Sequence, residues 1–214
     1  MTPIMFVYKG VRKIWRILYK HFCHIATLII LHSNKVRYGS FLTNGIPIVN
    51  TDSKNGGRIV IGNNFQMNNG SAANNIGFAS RCVLCAVGGA NLYIGENVGI
   101  SQATLYATSA DVTIGNNTLL GGGVKIYSSD FHSMNYMDRR NPQVDYKRRR
   151  SLPVVSGEDC FIGAGSIILK GATIGPRTVI GAGSVVVSSI PADCIAAGNP
   201  CKVIKRNNTQ NEPF

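Results

Sequence analysis

Phe161-Ile162-Gly163-Ala164-Gly165-Ser166-Ile167-Ile168-Leu169-Lys170-Gly171-Ala172-Thr173-Ile174-Gly175-Pro176-Arg177-Thr178-Val179-Ile180-Gly181-Ala182-Gly183-Ser184-Val185-Val186 decides the fold. Ile162, Ile168, Ile174, Ile180 and Val186 follow one another at a spacing of six without slippage. A short fixed period marks a solenoid, and neither the helical turn nor strand alternation fits it. The same unit stands upstream at Ile61-Gly62-Asn63-Asn64-Phe65-Gln66, Ile94-Gly95-Glu96-Asn97-Val98-Gly99, Ile100, Ile114, Leu120 and Ile126. Each hexad then makes one flat face of a triangular coil. Its aliphatic side chain points at the axis, and Gly, Ala, Ser or Thr stand where backbones turn or approach closely. Three hexads per turn predict an all-β parallel β-helix of roughly seven coils, stacked through backbone pairing.

The composition agrees. The 214 residues include 24 glycines and are 44% hydrophobic but only 15% charged, which suits a β-rich body rather than a helical bundle or a disordered chain. Lys and Arg outnumber Asp and Glu by 22 to 10, yet the excess sits in two clusters with no interleaved aromatic sheet motif, which argues against nucleic acid as a partner. The six cysteines (Cys23, Cys82, Cys85, Cys160, Cys194, Cys201) lack a disulfide spacing and suit a reducing, cytoplasmic setting. Cys82-Val83-Leu84-Cys85 has no second pair and reads as wall and core.

Residues 1–40 predict an amphipathic helical segment. Lys9, Arg12, Lys13, Arg16 and Lys20 fall in one arc of roughly 100° at 3.6 residues per turn, with Val7, Val11, Ile14, Trp15, Leu18, Phe22 and Ile25 opposite. Two roles are open: peripheral contact with an anionic membrane at its inner face, or packing of the stripe on the main domain or a neighbouring subunit as a cap. The apolar run Ile25 to Leu31 by itself is too short to span a bilayer. Residues 41–206 are assigned to the β-helix and 207–214 to a loose tail.

The period lapses between Ser133 and Leu152, a polar stretch whose length marks it as a functional or disordered loop. It follows His132, the one histidine of the repeat region. If the strand runs on, Asp130 and His132 share a face, and a carboxylate beside an imidazole fixes its tautomer for work as a base. A surface histidine is the plain alternative. One histidine in the repeats excludes a three-histidine zinc site, so no metal is expected. The run Lys147 to Arg150 is either a solvated loop or an attractor for a phosphate-bearing ligand.

Pro153 to Ser166, Thr173-Ile174-Gly175, Val179 to Val186 and Ala197-Gly198-Asn199-Pro200-Cys201-Lys202-Val203-Ile204 resemble the hexapeptide-repeat O-acetyltransferases. Asp130-Phe131-His132 is most similar to the branch acting on capsule, exopolysaccharide or O-antigen sugars, with galactoside and maltose acetyltransferases as relatives. The resemblance covers about residues 58–206. It implies a left-handed parallel β-helix working as a homotrimer, with acetyl-CoA between subunits and a sugar or glycan precursor as acceptor. His132 would be the general base, and a backbone N–H near Ala164 would hold the oxyanion. Phe161 and Gly163 would line the thioester end of the groove. Gly181, Ala182 and Gly183 would keep its wall low, and Lys202 and Lys205 would meet CoA phosphates. Ser101, with Arg139 and Arg140, would contact the acceptor. Ser156 departs from the family by placing a hydroxyl at an inward position, where it needs a partner. A small non-sugar acceptor, such as serine or an antibiotic, and a non-catalytic scaffold are the rival readings.

Overall fold

In a computed structural model, residues 3–52, 55–70 and 79–207 are described. The hexads form three parallel faces wound in succession. Face A stacks Arg37–Tyr38, Arg58–Ile61, Asn91–Ile94, Val112–Ile114, Val154–Ser156 and Thr173–Ile174. Face B stacks Phe41–Asn44, Phe65–Asn68, Gly99–Ser101, Leu119–Leu120, Phe161–Ile162, Val179–Ile180 and Cys194–Ala197, then ends in one antiparallel strand, Lys202–Arg206. Face C stacks Ile48–Thr51, Val83–Val87, Thr104–Thr108, Lys125–Tyr127, Ile167–Ile168 and Val185–Val186. Seven parallel strands on face B match the expected number of coils. The solenoid begins at Arg37, ahead of the first legible hexad, because its early coils are longer than three hexads.

The core is a set of aliphatic columns. Leu92, Ile114 and Ile174 lie on face A, Ile100, Ile162 and Ile180 on face B, and Leu105, Ile126 and Ile168 on face C, all buried. Ser156 takes an inward place between Ile114 and Ile174, and its Oγ donates to the Gly157 carbonyl at 3.4 Å. All six cysteines are free and buried, and burial pushes the Cys82 thiol up to about 11; the Cys82–Cys85 pair is wall and core.

Two kinds of corner residue keep the coils in step. Between faces A and B one residue per coil is left-handed: Asn64, Asn97, Asn117 and Asp159 have φ of 56–57°. Their side chains form a ladder, each amide donating to the next oxygen at 2.9–3.0 Å. Asn and Asp tolerate this conformation better than other non-glycine residues, so these four supply both turn and ladder, and Arg177 takes the same corner in the next coil at φ 57°. Between faces B and C, glycine is needed for closeness: a Cβ on Gly163 would come within 2.4 Å of the Ala182 nitrogen.

The helix α1 (Pro3–Ser33) spans 31 residues. It ends in a left-handed Lys35, with the Val36 N–H donating to the Leu31 carbonyl, and Thr51 holds the Asn34 carbonyl through its Oγ1 at 2.8 Å. Cys23, Thr27 and Leu31 are fully buried against the first coils, and His24 stacks on Phe41 at 4.7 Å. The sequence left open whether the apolar stripe packs on the body; it does not, since Val11, Ile14, Trp15, Leu18, Phe22 and Ile25 stay exposed. The Val7 side chain and residues 208–214 lie outside the described residues. The run Ile25 to Leu31 lies within a longer stretch of the helix, Tyr8–Ser33, that is long and apolar enough, by length and composition alone, to cross a membrane.

Candidate active site

The segment after Lys125–Tyr127 leaves the period and builds its own scaffold. Face A pairs Ile114 with Ser156 across this excursion, whereas the next coil pairs residues eighteen apart. The stretch 133–152 is not a plain loop. It holds a 3-10 turn, Asp138–Arg140, and a short helix, α2 (Pro142–Arg148). Asn141 caps α2 by accepting from the Gln143 and Val144 amides at 3.0 and 3.3 Å, and Pro142 takes the first helical position. The neck closes through the Asp130 N–H to the Arg150 carbonyl and the Leu152 N–H to the Ser128 carbonyl.

This scaffold delivers Asp145 to His132. The ring Nδ1 lies 2.6 Å from Asp145 Oδ2, and the Ser133 N–H donates to the other carboxylate oxygen, also at 2.6 Å. These two bonds, the His132 contact foremost, hold the Asp145 carboxyl below its ordinary range. An ionised carboxylate only accepts, so Nδ1 carries a proton, and in the neutral imidazole Nε2 is the nitrogen with the lone pair. The His132 side chain is 67% exposed while that of Asp145 is 12% exposed. The result is an oriented imidazole with its basic nitrogen open to solvent.

Asp130 does not do this work, contrary to the sequence expectation. Phe131 adopts φ 65° and breaks the alternation that would have put 130 and 132 on one face. Its ring is wedged edge-on against Tyr106 and Tyr127 at 5.4 and 5.5 Å. Asp130 turns away to pair with Lys170 Nζ at 2.6 Å. The scaffold also occupies Arg139, whose Nη1 donates to the Ser133 and Met134 carbonyls at 2.7 and 3.1 Å. Arg140 lies over the Tyr136 ring, and neither arginine is brought to Ser101. Behind Ser133, its Oγ donates to Asp138 at 2.7 Å, and Arg148 closes on the same carboxylate at 2.9 Å.

The remaining sequence-selected residues gather at a different edge. His132 stands where face C passes to face A. Ser101 stands where face B passes to face C, and Gly163-Ala164 and Gly181-Ala182-Gly183 stand two and three coils above it on the same edge. Ser101 accepts from Asn68 Nδ2 at 3.1 Å. Gly163 and Gly181 are dictated by the coil above, since a Cβ on Gly181 would meet Ala197 Cβ at 2.8 Å. Gly183, at φ +70°, faces open space. The Gly163 and Gly165 amides donate to the Ile180 and Gly122 carbonyls, and among the described residues the Ala164 N–H has no acceptor. Phe161 points outward from face B, 48% exposed, in line with Leu119 and Val179. Lys202 pairs with Ala197 at the top of this edge, and Lys205 with Ile195 farther along the same strand. An unclaimed amide, a glycine opening on solvent and a lysine above them fit an extended anionic thioester. Among the described residues no group of three or more His, Cys, Asp or Glu side chains could hold a metal ion.

The sequence profile of the bacterial transferase hexapeptide family (six repeats) matches residues 157–188. The galactoside O-acetyltransferase of Escherichia coli K12 is 34% identical over 126 residues, 59% of either chain. WbbJ of the same organism, named as a candidate lipopolysaccharide biosynthesis O-acetyl transferase, is 33% identical over 132 residues, covering 60% of this chain and 67% of WbbJ. The chain spans somewhat over half the length of the first curated relatives it matches. Among solved structures, a galactoside acetyltransferase in complex with coenzyme A matches with TM-score 0.50 and 27% identity, over 82% of this chain and 66% of the other. AntD, an N-acyltransferase from Bacillus cereus in complex with dTDP and 3-hydroxybutyryl-CoA, matches with TM-score 0.64 over 86% and 89%; at 19% identity it speaks for the fold alone. With three parallel faces, the hexad period and these relatives, the chain belongs to the hexapeptide-repeat O-acetyltransferase family, whose fold is the left-handed β-helix.

Proposed function

We propose that the protein is a cytoplasmic homotrimer that transfers an acetyl group from acetyl-CoA to a saccharide hydroxyl in surface polysaccharide or lipopolysaccharide assembly. The observation that carries this reading is the separation of its two half-sites. His132 and the Ala164 turn occupy different edges of one prism, with the strand Lys125–Tyr127 and its turns between them. A three-fold axis parallel to the stack carries one protomer's face B–C edge to its neighbour's His132 without changing level. The coil that bears His132 then faces Ser101 one coil below and Ala164 one coil above, a span of about 10 Å at the usual strand spacing. Both half-sites are complete only across such a seam.

There, His132 Nε2 accepts the acceptor's hydroxyl proton as the oxygen attacks the thioester carbonyl. Asp145 stabilises the imidazolium that forms, and the Ala164 N–H donates to the oxyanion. Collapse forms the ester and expels CoA thiolate, which recovers the proton from His132. The named activities of the E. coli relatives support a sugar acceptor, and the CoA complex of the structural relative supports the donor. The test is release of free CoA thiol over a panel of sugars, nucleotide-linked sugars, serine and aminoglycosides. A saccharide is expected to be the best acceptor, and His132→Ala is expected to lower turnover about 10²- to 10⁴-fold, the usual range for a lost general base, with acetyl-CoA binding kept. Preference for a non-sugar, near-full activity of H132A, or no saturable acetyl-CoA binding by calorimetry overturns it.

A further inference from the structure

The face of α1 that is basic in its first half is the docking face in its second. Lys9, Arg12, Lys13, Arg16 and Lys20 continue at helical spacing into Cys23, Thr27 and Leu31, which are fully buried on the body. The opposite face is apolar along its length and stays exposed: Val11 is 62% exposed, Trp15 67%, Leu18 59%, Phe22 61%, Ile25 58% and Ile29 62%. The helix is about 45 Å long at 1.5 Å per residue, and its first half runs past the body. The stripe therefore aims away from the β-helix, with cations on the side nearer the body.

We propose that α1 docks this protein on an anionic lipid surface, lying in the interface with the stripe in the acyl boundary. An interfacial helix sinks roughly 5–10 Å and is 10–12 Å across, which leaves its far side level with the headgroups. Lysine and arginine stems can reach phosphate from there. Charge selects this occupant over a second copy of the chain. Residues 1–37 hold seven cations and no acidic residue, so pairing two such helices adds like charge, whereas an anionic bilayer neutralises it. Although Tyr8–Ser33 is long enough to span, spanning would strip Cys23, Thr27 and Leu31 from the body and drag Arg16 and Lys20 into hydrocarbon.

Trp15 is the chain's one tryptophan, so its fluorescence reports on the stripe directly. The full chain is titrated with vesicles of phosphatidylglycerol and phosphatidylcholine, and separately with phosphatidylcholine alone, in low and high salt. The expected result is a blue shift and co-flotation on the anionic vesicles only, weakened by salt. Leu18→Gln with Phe22→Gln, at exposed positions, is expected to weaken partitioning by about tenfold or more, with unchanged circular dichroism and acetyl-CoA binding. Arg12→Glu with Arg16→Glu should abolish the preference for anionic lipid. Absence of anionic-vesicle binding overturns the proposal. So does a Trp15 already shielded from quencher without lipid in a concentration-dependent way, which would make another copy the occupant. None of these readouts depends on acetyl transfer.

Discussion

The two edges that border face C follow opposite rules. From the coil of Leu119–Leu120 upward, where face B passes to face C, the period is kept: Gly121, Gly163 and Gly181 recur because each must let the next coil approach. Where face C passes to face A, the period is broken by the stretch that carries His132, and the break folds into a turn and a helix of its own. The strict edge supplies a smooth wall of backbone and small side chains. The broken edge supplies the oriented titratable pair. A solenoid repeats one environment at every coil, so a unique side-chain constellation has to be built from residues outside the repeat.

The largest effect that tests this contrast is expected at Asp145. Asp145→Asn keeps the Ser133 contact but turns an acceptor into a donor toward Nδ1, forcing the ring proton to Nε2. Turnover should fall about a hundredfold or more, as for other tautomer-locking carboxylates, with KM little changed. Asp130→Asn should leave turnover near that of the parent, because its charge meets Lys170 instead. Equal losses in both variants would restore Asp130 to the site. The pH dependence carries a sign. A carboxyl held below its unfolded value stabilises the folded state fully above the ordinary carboxylate pKa of about 3.9. That stabilisation is lost only as pH falls through the depressed native value. The Asp145 carboxylate should thus persist through mild acid, with the carboxyl chemical shift of Asp145 followed against pH as the measurement.

A moderate effect is expected at the strict edge. Gly163→Ala drives a methyl into the Ala182 backbone and should cost about 1–3 kcal/mol, read as a drop in thermal midpoint. An unchanged midpoint would mean that the coils can separate there. The smallest effect belongs to the broken edge's cap. Asn141→Ala removes the two bonds that start α2, a loss of about 1 kcal/mol. Because α2 lies outside the core columns, turnover should fall a few-fold while the thermal midpoint barely moves. A large fall in the midpoint would show that the insertion holds up the solenoid.

The sequence made the solenoid legible because hexad spacing is a local pattern, and each aliphatic needs only its own coil to choose an inward side. The helical character of α1 was legible for the same reason, as was His132, which stands alone in the repeats. The helix in the insertion went unread, although Asn141-Pro142 is a start signal of the usual kind and the following Val144-Asp145-Tyr146 could have placed a carboxylate on its first turn. Ser101 reached the expected edge even though its coil is two residues long of the period, because three extra residues enter after face C, between Thr108 and Val112, and one is dropped between Ile100 and Leu105.

By itself, then, the amino-acid order specified an aliphatic-cored triangular coil, an amphipathic helix ahead of it and one histidine at the point where the repeat lapses. Tertiary structure alone decided that Asp145 rather than Asp130 faces that ring, that α1 is seated through Cys23, Thr27 and Leu31, and that His132 and the Ala164 turn fall on separate edges. The physical reason is range. Periodicity acts between neighbours a few residues apart, whereas a left-handed Phe131, a short helix returning over its own strand and a helix choosing which side to bury depend on groups that meet only once the chain has closed on itself.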